Sequence, residues 1–278
     1  MNGLELTLCI FLVAGFAGVL GSLTGLGGGV VLTPALTLLF GVDLRYAIGA
    51  TLISVIATSS GAASAFLKEG FSNIRIGMFL EIATTFGAIA GALLAAGIST
   101  SALAIILGCV LLYSAWSSTR NHHDAVQTAD EDSLSLRLRL SSSYPTELGL
   151  EQYHVQHVRG GFAMMFGAGM ISGLLGIGSG AFKVIAMDQI MRIPFKVSTT
   201  TSNFMIGVTA AASAGVYLHR GYIDPVLATP VMLGVTAGSF LGARWLPGAK
   251  TRVLRILFGL VVGALALEMI YSGLARRI

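Results

Sequence analysis

Ten apolar runs dominate the chain, at 4–26, 29–40, 46–67, 74–98, 101–118, 159–176, 179–191, 197–218, 225–243 and 252–273. Most approach the roughly 20 residues that a helix needs to cross the ~30 Å hydrocarbon core of a bilayer. Two do not: about twelve residues at 1.5 Å each cover only ~18 Å, so 29–40 and 179–191 are expected to be half-helices. Charged residues make up 11% of the chain, against roughly 25% in soluble domains, and the mean hydropathy is +0.81. Most side chains therefore have no water to face, and the predicted fold class is an all-α polytopic membrane protein.

Both short runs follow a glycine-rich break, Gly25-Leu26-Gly27-Gly28-Gly29 and Gly176-Ile177-Gly178-Ser179-Gly180. Each is expected to fold back on the preceding helix as a hairpin whose tip lies near mid-membrane. A shift of 151 residues carries Gly18 onto Gly169, Gly25 onto Gly176, Gly27 onto Gly178, Gly29 onto Gly180, Gly87 onto Gly238 and Gly91 onto Gly242. The register marks an internal repeat. Each half has an odd number of crossings, so the halves are expected to be inverted-topology repeats, 1–118 and 159–278, joined by a linker over 119–158.

Basic residues fix the expected orientation. Those from Lys68, Arg75 and the linker through Arg192, Lys196 and Arg244 to Arg255 collect on one side, and only Arg45, Arg220, Arg276 and Arg277 on the other. The positive-inside rule then places the linker in the cytoplasm and both termini outside a cell inner (plasma) membrane. The dispersal of the basic residues excludes a nucleic-acid surface. Asn2 and Glu5 precede the first apolar run, which reads as a retained span rather than a cleaved signal. Cys9 and Cys109 are expected to be small buried hydrophobes.

The linker holds six of the thirteen acidic residues and four of the five histidines. Its stretch Leu134 to Leu140 alternates with period two and fits either a strand paired with Tyr153–Val158 or a loop. His122, His123, His154 and His157 read as solvated rather than as a metal site, and no cofactor motif occurs. An intramembrane hydrolase is excluded because no histidine stands inside a span to activate Ser179.

The candidate site is built from the two breaks. A helix start offers unpaired N–H groups and the positive end of a dipole, both suited to an anion. Gly27, Gly28 and Gly29 in the first half, and Gly178, Ser179 and Gly180 in the second, let a ligand approach the backbone; Ser22, Thr24 and Ser172 add hydroxyls. Close helix packing is the competing use of these small residues, and the preferred use of Gly87-x-x-x-Gly91 and Gly238-x-x-x-Gly242. Lys183 lies too deep to reach the interface, so it faces a cavity or pairs with backbone carbonyls or a carboxylate such as Glu81. Glu81 either carries a proton or holds helices together. The polar run after the second half-helix, Thr199 to Asn203, corresponds approximately to Thr51 to Ser60 after the first, and Asn203 can donate two hydrogen bonds to an oxyanion.

Gly21-Ser22-Leu23-Thr24-Gly25-Leu26-Gly27-Gly28-Gly29 with Pro34, the echo Ser172-Gly173-Leu174-Leu175-Gly176-Ile177-Gly178-Ser179-Gly180, and the repeat together resemble the TauE/SafE family of membrane permeases. The resemblance spans both halves and implies transport of sulfite or organosulfur anions such as sulfoacetate. The second half departs from the pattern at Ser179, Ile185 and Lys183. The expected function is a secondary transporter exporting such an anion by alternating access, and a passive anion channel is the rival. A sensor subunit working through the linker is a third reading. An unaccompanied anion leaving a negative interior gains roughly 2.3 kcal/mol per 100 mV, which favours export. The expected partners are a small anion and the bilayer; a homodimer stands beside the monomer as an open alternative.

Overall fold

A computed structural model of the chain describes residues 3–24, 28–68, 72–119, 132–146, 149–245 and 251–275. The first half contains α1 (Gly3–Thr24), α2 (Gly29–Phe40), α3 (Leu44–Lys68), α4 (Ile74–Leu94) and α5 (Thr100–Thr119). The second contains α7 (Val158–Leu175), α8 (Gly180–Ile185) running into a π-helical turn (Ala186–Ile190), α9 (Phe195–His219), α10 (Pro225–Trp245) and α11 (Thr251–Leu274). Stretches of α1, α4, α5, α7 and α10 are each long and apolar enough to cross a membrane. The chain is an all-α, multi-pass membrane protein.

The first short run folds as a helix over its whole expected length. Gly41, at φ 64, ends it in the left-handed region that glycine occupies without strain. The second departs from expectation: only six residues of α8 are α-helical before the π turn begins. The helical backbone nevertheless continues through the π turn to Ile190.

Glycine contacts set how the helices pack. A methyl group on Gly87 or Gly91 would run into the carbonyls of Phe166 or Met170, and one on Gly169 or Gly173 into those of Thr84 or Ala88. Both residue numbers in these pairs rise together, so α4 and α7 run parallel at backbone contact. The same is true of α1 and α10, where Gly234 meets Phe11 and Gly238 meets Gly15. The 151-residue shift maps the contact of Gly18 with Val235 onto that of Gly169 with Thr84, and Gly87 with Phe166 onto Gly238 with Gly15. Small residues let helix backbones approach where lipid gives no hydrophobic drive between helices.

The linker differs from both of its expected forms. The alternating stretch folds as a short helix, α6 (Ser133–Leu138), because Asp132 caps it by accepting from Leu134 N. The strands lie later: β1 (Ser142–Thr146) pairs antiparallel with β2 (Gly149–Tyr153), setting Ser142 opposite Tyr153. His122 and His123 lie outside the described residues. Cys9 and Cys109 are exposed rather than buried. In a membrane protein an outward face meets lipid, so an apolar side chain gains little by turning inward.

Asn73, the N-cap of α4, fastens the linker to the helices. Its Nδ2 donates to Leu140 O at 2.9 Å and to the Tyr153 hydroxyl at 2.7 Å, and its N–H donates to Thr201 at 3.0 Å. Burial pushes the Tyr153 hydroxyl up to about 12, with Asn73 and Ser142 opposing the shift. The fold therefore holds this proton more tightly than the unfolded chain, whose tyrosine titrates near 10. The stabilisation is complete below pH ~10 and is lost as pH rises toward about 12. Melting in detergent across that window is expected to show this loss in the wild type and not in Tyr153→Phe.

Candidate functional site

Lys183 has no accessible surface. Its Nζ donates to Thr209 Oγ1 at 2.5 Å, and Thr209 Oγ1 lies 2.6 Å from Glu81 Oε1, to which its own hydrogen points. Glu81 Oε2 stands 4.0 Å from the ammonium. Thr85, one turn along α4, also donates to Glu81 Oε1, at 3.2 Å. The three central groups come from α8, α9 and α4, so the cluster joins both halves. Its construction follows the chain: α8 is a half-helix whose side chains end inside the bundle, and Glu81 and Thr209 lie mid-helix on faces that meet there.

The cluster is incompletely satisfied. Glu81 Oε2 is buried without a hydrogen-bond partner, as are Ser172 Oγ and Ser179 Oγ. A bare polar atom in a buried site costs roughly 1–3 kcal/mol, more when charged. Ser179 is further held at φ 47, an uncommon conformation for a residue with a Cβ. Its carbonyl accepts from Lys183 N, which puts it one turn from the ammonium-bearing residue. Ser172 shares the face of α7 with Gly169, which backs onto Thr84 of α4.

The two breaks do meet: a methyl on Gly29 would lie 3.5 Å from Gly176 O, and one on Gly178 would press Val55 and Ile206. Gly176 and Gly178 both have positive φ. Gly28 packs on Ala17 and Val235, and Gly180 O accepts from Ser202 at 3.4 Å. Gly27 lies outside the described residues, and so do the side chains of Ser22 and Thr24. Asn203 is half-buried in α9, three residues before Ile206, whose side chain faces Gly178. Sequence reasoning missed Thr209, although the 151-residue shift carries Thr58, in the first polar run, onto it.

On the linker side of the cluster, Ile76, Leu80, Met187, Met191 and Met205 pack with Leu140, Tyr153 and Val155 in one buried apolar group. At the opposite end Tyr217 donates to Leu174 O, Arg45 to Ile98 O in the turn between α4 and α5, and Arg220 to Ala92 O in the last turn of α4. A cavity of about 450 Å³ lies at that end, lined by residues including Thr7, Asp43, Tyr46 and Asp224. Its aspartates accept from Arg45 N and Val226 N as helix caps and would repel an anion.

A polytopic bundle with a buried lysine–glutamate pair between its halves fits a membrane transporter. Residues 10–269 match the family model described as sulfite exporter TauE/SafE, and the chain belongs to that family. It is similar to the probable membrane transporter protein YunE of Bacillus subtilis, at 24% identity over 93% of this chain and 95% of that protein. YdhB of the same organism, also a probable membrane transporter protein, is 25% identical over 85% and 89%. A probable membrane transporter protein of Xylella fastidiosa is 25% identical over 95% and 93%. No solved structure matches the chain.

Proposed function

We propose that this protein is a secondary transporter that exports small organosulfur anions, such as sulfite or sulfoacetate, across the plasma membrane. The observation that carries the proposal is Lys183: a wholly buried ammonium on the helix that starts at the second glycine break, a break that also carries two buried hydroxyls without hydrogen-bond partners, Ser172 and Ser179. A sulfonate keeps its charge at biological pH and offers three acceptor oxygens. Lys183 would neutralise it, with Ser172 and Ser179 donating. The family description supports sulfur oxyanions as cargo.

Parallel pairing of α1 with α10 and α4 with α7 supports inverted halves, and the distribution of Lys and Arg supports a cytoplasmic linker with both termini outside. The lack of any accessible surface at Lys183 supports alternating access over an open channel. The test is labelled anion flux into proteoliposomes. Saturable uptake that is accelerated by unlabelled anion on the opposite side is expected for sulfite or sulfoacetate. Unitary currents in planar bilayers would instead establish a channel, and stabilisation on heating by carboxylates but not by sulfur oxyanions would reassign the cargo.

A further inference from the structure

Lys183 already has an anionic partner. Glu81 approaches it through Thr209, and its second carboxylate oxygen stands 4.0 Å from the ammonium with no hydrogen-bond partner, in a residue that is more than nine-tenths buried. The empty cluster is neutral, one ammonium against one carboxylate. A cargo anion bound to Lys183 would leave two negative charges on one positive charge, out of contact with water.

We propose that Glu81 is the resident counter-ion of Lys183, displaced by the arriving anion and carried through the cycle as the protonated acid, so that one proton travels with each anion. The proton comes from the aqueous phase the open site faces, adds to Glu81 Oε2, and leaves where the anion leaves. Lys183 keeps its own proton throughout. Thr209 is a positioning residue. Its hydroxyl donates to Glu81 while the carboxylate is charged, and can turn to Met205 O, already 3.0 Å away, once Glu81 withdraws.

Apart from Lys183, the groups packed around Glu81 are uncharged. Its own helix offers Leu80 and Thr85, α9 offers Met205 and Thr209, and α7 brings Met165 to the same apolar group. Lys183 is the charged group paired with it among the described residues. Asp188 lies further along the π turn, and Tyr153 lies beyond Leu80 on the linker.

The inference rests on reading Lys183 as the anion's partner, and it alters the energetics. An anion that moves with a proton carries no net charge, so its flux follows the anion and proton gradients rather than the membrane potential. Purified protein in liposomes loaded with a pH dye, given a gradient of the singly charged sulfonate methanesulfonate, tests this while potassium and valinomycin set the potential. Methanesulfonate entry is expected to acidify the lumen by one proton per anion and to be unaltered when the potential is reversed. Glu81→Gln is expected to abolish the acidification and make accumulation follow the potential, up to ~50-fold per 100 mV for one charge. Should that variant fail to fold, proton uptake by the wild type on binding methanesulfonate in weakly buffered detergent gives the stoichiometry directly, and one per anion is expected. Saturable wild-type entry that follows the potential without acidification overturns the proton coupling and leaves the anion site standing. Absence of any saturable methanesulfonate flux or binding overturns both.

Discussion

Lys183→Ala is expected to bring anion flux into inside-out vesicles down by about two orders of magnitude, in line with the loss of a charge-assisted hydrogen bond of ~3 kcal/mol. The same substitution strands Glu81, and breaking one side of a buried pair costs roughly 3–5 kcal/mol. Stability and transport must therefore be separated. In the double variant Lys183→Ala, Glu81→Ala the uncompensated charge is gone, so melting in detergent is expected to recover most of the loss while flux stays near background. Recovery of flux along with stability would reduce the pair to a structural role, and undiminished flux in the single variant would remove Lys183 from the site.

A second large effect is expected from glycines that touch backbone. Gly173→Leu would drive a side chain into the Ala88 carbonyl, which cannot move without separating α4 from α7. Overpacking against flexible side chains costs about 1–3 kcal/mol, and a rigid backbone raises the figure to roughly 3 kcal/mol or more. For a protein of this size that corresponds to a melting temperature lower by about 10 °C. Gly167→Leu on the same helix, where nothing lies within 4 Å, is the control and is expected to be near neutral. Equal melting of the two variants would mean that the α4–α7 contact is not a close one.

Much of this architecture is legible in the residues because the bilayer removes alternatives. Apolar runs mark where helices must lie, and Gly29 to Phe40 forms the helix that its length and flanking glycines require. The Gly87 and Gly238 motifs were readable as packing faces because their spacing matches one helix turn. Other features depend on tertiary geometry. A π turn after Ile185 leaves no clear periodic signature, and the strand pattern in Leu134 to Leu140 yielded to a single cap at Asp132. Lys183 and Glu81 were visible as costly residues in lipid, but their bridge through Thr209 spans three helices, and a lone threonine among many gives no signal.

The parallel pairing of α4 with α7 and of α1 with α10 has a consequence for biogenesis. The ribosome releases α1 and α4 well before either partner exists, so their glycine-lined surfaces enter the lipid uncovered and wait there through synthesis of the linker. Assembly can finish only when α7 and then α10 arrive to cover them, which makes neither half a self-sufficient folding unit despite the kinship of their sequences.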